Sequence, residues 1–244
     1  MIVAESIGFA ATHTISSILA DLPGYRVTHG SQNFETGVPI GAGSQTPAGF
    51  AASMVAAKSA GQRPVALHTN FDPRQFLPAC QAQGVQYGLL VRRPEAQIES
   101  CYAWALTKVL TGDDQMLLVA LKAGLQPLND LRIRASLPNL LYAYALIHVC
   151  QFNLAAVEAG AAFMQMETLL ADESAFRAAF AVPDEVPIAH FSGEARHLAS
   201  HRAKPELEAV AAPEREAIRA AMPVSVGAVR TSVGQLAARL GYVA

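Results

Sequence analysis

Three stretches of this 244-residue chain combine anion-binding or proton-handling side chains with small residues that let a ligand approach. The first is SIGFAATHTISSIL, where Ala10, Ala11, Thr12, His13 and Thr14 follow Gly8 and Phe9 in a small-residue turn leading into a hydroxyl-rich segment. Backbone N–H groups and the positive end of a helix converge at such a turn, so it suits a phosphate or a similar anion. On this segment alone, an ordinary tight turn capped by Thr12 is the better fit. It has one glycine and no lysine, unlike the G-x-x-x-x-G-K-S/T loop of nucleoside triphosphatases, which disfavours a phosphotransferase using ATP. The second stretch is GLLVRRPEAQIES: Arg92 and Arg93 close an apolar run, Pro94 follows, and Ser100 lies two helical turns on. An arginine offers phosphate a planar fork of donors, and a serine hydroxyl on the adjacent helix adds a neutral one. As plain surface charges, the same arginines would only end a strand. In the third, RPVALHTNFDP, His68 closes another apolar run. Imidazole titrates near neutral pH and suits proton transfer, and ligands of α/β proteins bind at the carboxyl edge of the strands. The alternative is a histidine that only packs at a strand end. His29, in VTHG, occupies the equivalent place one strand earlier and fits either an acceptor pocket or a turn beside Gly30.

A fourth group comes late, in FSGEARHLASHRAK, which brings Arg196, His197, His201 and Arg202 together. Histidines four apart on a helix can share a zinc ion, but no third ligand is evident. Cys80, Cys101 and Cys150 are odd in number and form no C-x-x-C pair, so they read as reduced structural thiols.

The elements that must position these groups alternate. Apolar, β-prone runs at Ile2 to Phe9, Tyr25 to Thr28, Pro64 to Thr69 and Tyr87 to Val91 are separated by helix-length segments, the pattern of a parallel sheet covered by helices. Pro47 to Ala60 reads as a helix, Pro73 opens a short one, and Pro94 opens another that runs to about Leu110. Gly37 to Gly43 is loop, Thr111 to Asp114 a break, and Gln115 to Ala123 helical. A long apolar helix follows Pro138, a fifth strand covers Ala162 to Glu167, and the remainder is mostly helical. The predicted class is α/β, a parallel sheet flanked by helices with a mostly helical carboxyl-terminal part. No linker demands a division, so residues 1–244 read as one domain.

Composition narrows the partners. With 18 Lys+Arg against 20 Asp+Glu and a net charge of -2, the chain lacks the basic excess that nucleic-acid binding relies on, so no nucleic-acid partner is expected. Apolar residues make up 52% and charged ones 16%, as in a packed globular protein. The amino terminus MIVAESIGFA has no basic region before an apolar stretch, and Glu5 interrupts it, so no secretory signal is read and the expectation is a cytoplasmic protein. The charge-free run between Arg134 and Glu158 contains Pro138, Asn139, His148, Gln151 and Asn153, which favours a core helix over stable membrane insertion.

The VRRP segment with Ser100 six residues after Pro94 resembles the nucleotide-binding segment of the sulfotransferase family, a strand ending V-R-N-P or V-R-D-P and then a helix with a serine at that spacing. The resemblance implies that Arg92 and Ser100 hold the 3′-phosphate of 3′-phosphoadenosine 5′-phosphosulfate (PAPS). The family's loop for the 5′-phosphosulfate, P-K-S-G-T-T-W-L, is matched by GFAATHTI: Thr12 and His13 take the places of the two threonines, Phe9 that of the lysine and Ala11 that of the glycine. Ala10 to Thr14 would then hold the 5′-phosphosulfate, with His13 a candidate for the donor that the lysine supplies. ALHTNFDP is similar to the family's K-T-H-L-P segment, which implies that His68 is the catalytic base. Met166 to Leu169 resembles Y-E-D-L without its tyrosine, and Ser200, His201 and Arg202 resemble a late His-Arg element, with Arg202 as a second phosphate contact. The family's closing R-K-G is missing. The resemblance implies a P-loop-like fold and transfer of a sulfuryl group from PAPS to a hydroxyl or amine of a small molecule or glycan. The alternative is a protein of the same fold that binds nucleotide without transferring anything. An oligomer is compatible with either.

Overall fold

The computed structural model describes residues 1–30, 46–188, 191 and 211–242. In chain order the elements are β1 (Ile2–Glu5), α1 (Thr12–Ala20), β2 (Tyr25–His29), α2 (Pro47–Ser59), β3 (Arg63–Leu67), α3 (Pro73–Ala82), β4 (Gln86–Val91), α4 (Pro94–Leu110), α5 (Asp114–Asp130), α6 (Leu137–Glu158), β5 (Ala162–Gln165), α7 (Met166–Ala171), α8 (Glu173–Phe180), α9 (Arg215–Ala221), β6 (Val224–Val226), β7 (Val229–Thr231) and α10 (Val233–Arg239). They divide into two compact units, one of Met1–Arg92 and Ala155–Arg196, the other of Arg93–Leu154 and His197–Ala244.

The first unit is the α/β part. Its five strands form one sheet in the order β2-β3-β1-β4-β5. Every pair is parallel. Burial on both faces is why β1, β3 and β4 read as continuous apolar runs rather than as alternating ones. On one face Ile2, Ala4, Val65, Leu67 and Leu90 join α1, α7 and α8 in a core that includes Phe176 and Phe180. On the other, Phe76 meets Phe50 edge-on at 5.7 Å and Tyr87 at 5.8 Å. Helix starts follow the local chemistry: the Thr46 hydroxyl accepts from Gly49 N–H at 3.1 Å, the Asp72 carboxylate from Arg74 N–H at 2.9 Å, and Pro47, Pro73 and Pro94 each open a helix where a missing N–H costs nothing. Chain order reverses about β1, since β2 and β3 lie to one side and β4 and β5 to the other. A crevice at the carboxyl end of the central strand is where such sheets hold ligands.

Several boundaries differ from the sequence reading. β1 stops at Glu5 rather than Phe9, because the Ser6 hydroxyl accepts from Gly8 N–H at 3.1 Å and Gly8 and Phe9 then turn with φ of 97° and 63°. β3 stops at Leu67 because His68 has φ 55°, outside any strand conformation. β5 stops at Gln165, so Met166 and Glu167 belong to α7. The loop expected at Gly37 to Gly43 lies outside the described residues.

The second unit is mainly helical. α4 runs from Pro94 to Leu110 as predicted, whereas α5 continues past Ala123 to Asp130. Gly124, an apparent breaker, is there because α6 passes close by: a Cβ on it would sit 3.1 Å from the Leu140 carbonyl oxygen and 3.2 Å from Ala143 Cβ. α6 is long and apolar enough to cross a membrane by length and composition, but 72% of its apolar window is buried inside the protein, as in a core helix. The Asn153 amide donates to Gln97 Oε1 at 3.1 Å, so α6 and α4 share a buried polar contact. The carboxyl-terminal part, expected as mostly helix, also holds an antiparallel hairpin of β6 and β7 turning at Gly227, φ 58°. α10 starts with a full capping box between Ser232 and Gln235.

Candidate functional site

The site is built at the carboxyl ends of β1, β2 and β3, within the first unit. The turn after β1 has positive φ at Gly8, Phe9 and Ala11 (97°, 63° and 53°), so the chain repeatedly enters the left-handed region before α1 begins. Turns that bring successive backbone N–H groups together form anion-binding concavities. Ala11 is the residue before the helix and supplies no side-chain cap. The ordinary reading, with Thr12 as the cap, is therefore not what is seen: Thr12 is the first helical residue, buried, with its hydroxyl 2.9 Å from His29 Nε2. Ala10 is fully buried in the core and Thr14 is buried beneath the helix start, while His13 is exposed. Of the loop residues named from sequence, the structure thus buries Ala10, Thr12 and Thr14, Thr12 against His29, and leaves Ala11 half-buried and His13 exposed.

Three histidines from three elements meet here. The His13 and His29 rings stack with centroids 3.8 Å apart, and His29 and His68 lie 5.5 Å apart. Burial, with the neighbouring His13 and His68, pushes His29 down to about 3. His29 is therefore neutral near pH 7 and serves Thr12 as a hydrogen-bond partner rather than an anion as a charge. Burial also lowers His68, against the opposing effect of the Ser6 carbonyl. His68 Nδ1 is 2.7 Å from that carbonyl oxygen. A carbonyl only accepts, so Nδ1 carries the proton and Nε2 is the basic nitrogen of the neutral ring. That is the protonation state a general base requires, with the ring oriented by a third group. Gly8 is small for the same reason: a Cβ there would come within 3.3 Å of His68 Cε1, at a φ that L residues rarely adopt. Among the described residues no group of three or more His, Cys, Asp or Glu side chains is arranged to hold a metal ion.

Sequence reasoning missed the residue beneath this arrangement. Glu5, read only as an interruption of an apolar stretch, is fully buried at the end of β1. Its Oε1 accepts from Ser6 N–H at 3.0 Å and from Thr69 N–H at 2.9 Å, and its Oε2 accepts from the Thr69 hydroxyl. Burial raises it to about 7 in spite of these hydrogen bonds. The signal was an acid inside the apolar run IVAES, which is costly unless the fold supplies donors.

Arg92 follows β4, the strand beside β1, and is half-buried in the first unit. Arg93 precedes α4 in the second unit, where its guanidinium lies 5.5 Å from the centre of the Tyr242 ring; Ser100 is half-buried on α4 in the same unit. Arg202, with Arg196, His197, Ser200 and His201, lies outside the described residues. No protein-family model, curated protein or solved structure matches the chain.

Proposed function

We propose that this chain binds PAPS and transfers its sulfuryl group to a hydroxyl or amine of a small molecule or glycan. One observation carries the reading: His68, at the carboxyl end of β3, donates from Nδ1 to Ser6 in the turn after β1, so a neutral imidazole with basic Nε2 is fixed against the turn that resembles the phosphosulfate loop. In the proposed step Nε2 takes the proton of the acceptor hydroxyl or amine as the acceptor bonds to sulfur. The bond from sulfur to the bridging oxygen breaks on the opposite side, and the electron pair leaves with the 5′-phosphate. N–H groups of the loop from Ala10 to Thr14, which the resemblance assigns to the 5′-phosphosulfate, would stabilise that charge. The resemblance assigns the 3′-phosphate to Arg92 and Ser100 and a further contact to Arg202.

A second reading, nucleotide binding without transfer, is favoured by Phe9: a phenyl ring on a φ of 63° occupies the place of the family's lysine and donates nothing to a departing oxygen. The two are separated by one set of measurements. Adenosine 3′,5′-bisphosphate is expected to raise the melting temperature more than ATP or GTP does; the reverse order overturns both readings. His68→Ala is expected to keep bisphosphate affinity while sulfuryl transfer, followed with labelled PAPS over an acceptor panel, drops by about 100-fold or more. Tight binding with no transfer by the unaltered protein supports the second reading.

A further inference from the structure

We propose that Glu5 is a positioning residue: its ionised carboxylate clasps the turn after β1 to the turn after β3 and thereby sets the orientation of His68, so that protonating it loosens the clasp. The consequence for turnover rests on the reading of His68 as a base; the clasp itself does not.

The geometry is a closed circuit between two turns far apart in the chain. Glu5 Oε1 accepts from Ser6 N–H on one side and Thr69 N–H on the other, and Oε2 accepts from the Thr69 hydroxyl. Ser6 in turn accepts from His68 Nδ1, and Thr69 is the residue after His68. His68 is thus pinned on both sides: its ring by the Ser6 carbonyl and its backbone, held at φ 55°, by the neighbouring Thr69 bonds. A non-glycine residue keeps such a conformation only where its surroundings over-determine it.

Protonation changes the circuit in a defined way. A carboxylate accepts at both oxygens, whereas a carboxylic acid carries one O–H donor. Protonation at Oε2 turns the Thr69 hydroxyl from donor to acceptor and reduces the charge-assisted bonds at Oε1 to neutral ones, which are about half as strong. The titratable groups near Glu5 do nothing to hold it ionised. Cys80 on α3 and Tyr87 on β4 are both raised in part by the Glu5 charge, and the buried Tyr87 hydroxyl has no hydrogen-bond partner among the described residues. Asp72, before α3, acts on Tyr87 with the same sign. Among the described residues no ion pair reaches Glu5. The hydrogen bonds from Ser6, Thr69 and Asn70 alone oppose its burial, which leaves its proton exchange near neutrality at about 7.

The test is an NMR pH titration of the full chain with labelled glutamate carboxyls, histidine rings and backbone amides. The Glu5 carboxyl is expected to titrate near neutrality. The Ser6 and Thr69 amides and the His68 Nδ1 resonance should follow with the same midpoint, and the shared inflection should vanish in Glu5→Gln. Thr69→Val, which removes one donor to the carboxylate, should move the midpoint upward. An ordinary carboxylate midpoint for Glu5, or a neutral midpoint that His68 does not share, overturns the proposal. If Glu5→Gln does not fold, the unaltered protein still decides, because the shared midpoint is read from it alone. Failure to transfer sulfuryl would remove the reading of the site and leave this result intact.

Discussion

Arg92 is the residue on which the nucleotide reading turns, because a 3′-phosphate distinguishes adenosine 3′,5′-bisphosphate from adenosine 5′-phosphate. A hydrogen bond to a charged group contributes about 1.5–3 kcal/mol, so Arg92→Ala is expected to weaken the bisphosphate by about 10- to 100-fold while leaving the monophosphate nearly unchanged; calorimetric titration of both checks it. Equal weakening would remove the assignment. At this scale the sequence was partly legible. His68 at a strand end and Thr12 in a small-residue turn could be named because strand ends and turns leave local signatures. The partner of each could not: Thr12 bonds His29, and His68 bonds Ser6, across separations of 17 and 62 residues.

Elements were more legible than residues, for a physical reason that also explains the misses. Pro94 and the apolar spacing after it marked α4, since proline at a helix start removes only an N–H that has no partner there. The sequence reading ended this helix at Ala123, yet α5 runs on to Asp130, and close packing on α6 at Gly124 outweighs the propensity cost of that glycine. The start of α6 depends on a contact no local pattern reveals. The buried Asn139 amide donates to the Arg134 carbonyl and to Glu214 Oε1, both at 2.8 Å, and its oxygen accepts from Glu214 N–H at 2.8 Å. Asn139→Ala leaves buried donors and acceptors unsatisfied and is expected to cost about 2–3 kcal/mol in chemical denaturation. Asn139→Asp, which keeps the acceptor for Glu214 N–H but faces the Glu214 carboxylate, should not rescue it.

For the whole molecule, buried titrating groups oppose one another in their effect on stability. Glu5 is raised from its ordinary 4.5 to about 7, so the folded state holds a proton the unfolded chain lacks, and this contribution is lost as pH rises through that window. His29 is lowered from 6.5 to about 3 and His68 is lowered as well, so the unfolded chain holds protons the folded one lacks, and stability is lost as pH falls below 6.5. Between 4.5 and 6.5 the Glu5 and His29 slopes cancel and His68 tips the balance toward rising stability with pH. Above 6.5 only the Glu5 slope remains of the three. Melting temperature is therefore expected to peak near pH 6.5, and Glu5→Gln should remove the decline just above it, between 6.5 and about 7. The raised buried thiols Cys80, Cys101 and Cys150 keep their own decline at higher pH. No decline between pH 6.5 and about 7 in the unaltered protein would contradict the raised Glu5. The sequence alone determined that strands and helices alternate and where the parallel strands lie, because a sheet buried on both faces demands apolar runs and proline and hydroxyl residues mark helix starts locally. Only the tertiary structure decided that Glu5 is the buried anchor and that three histidines converge, because a parallel sheet joins strand ends that the chain itself separates: Glu5 and Thr69 are bonded 64 residues apart.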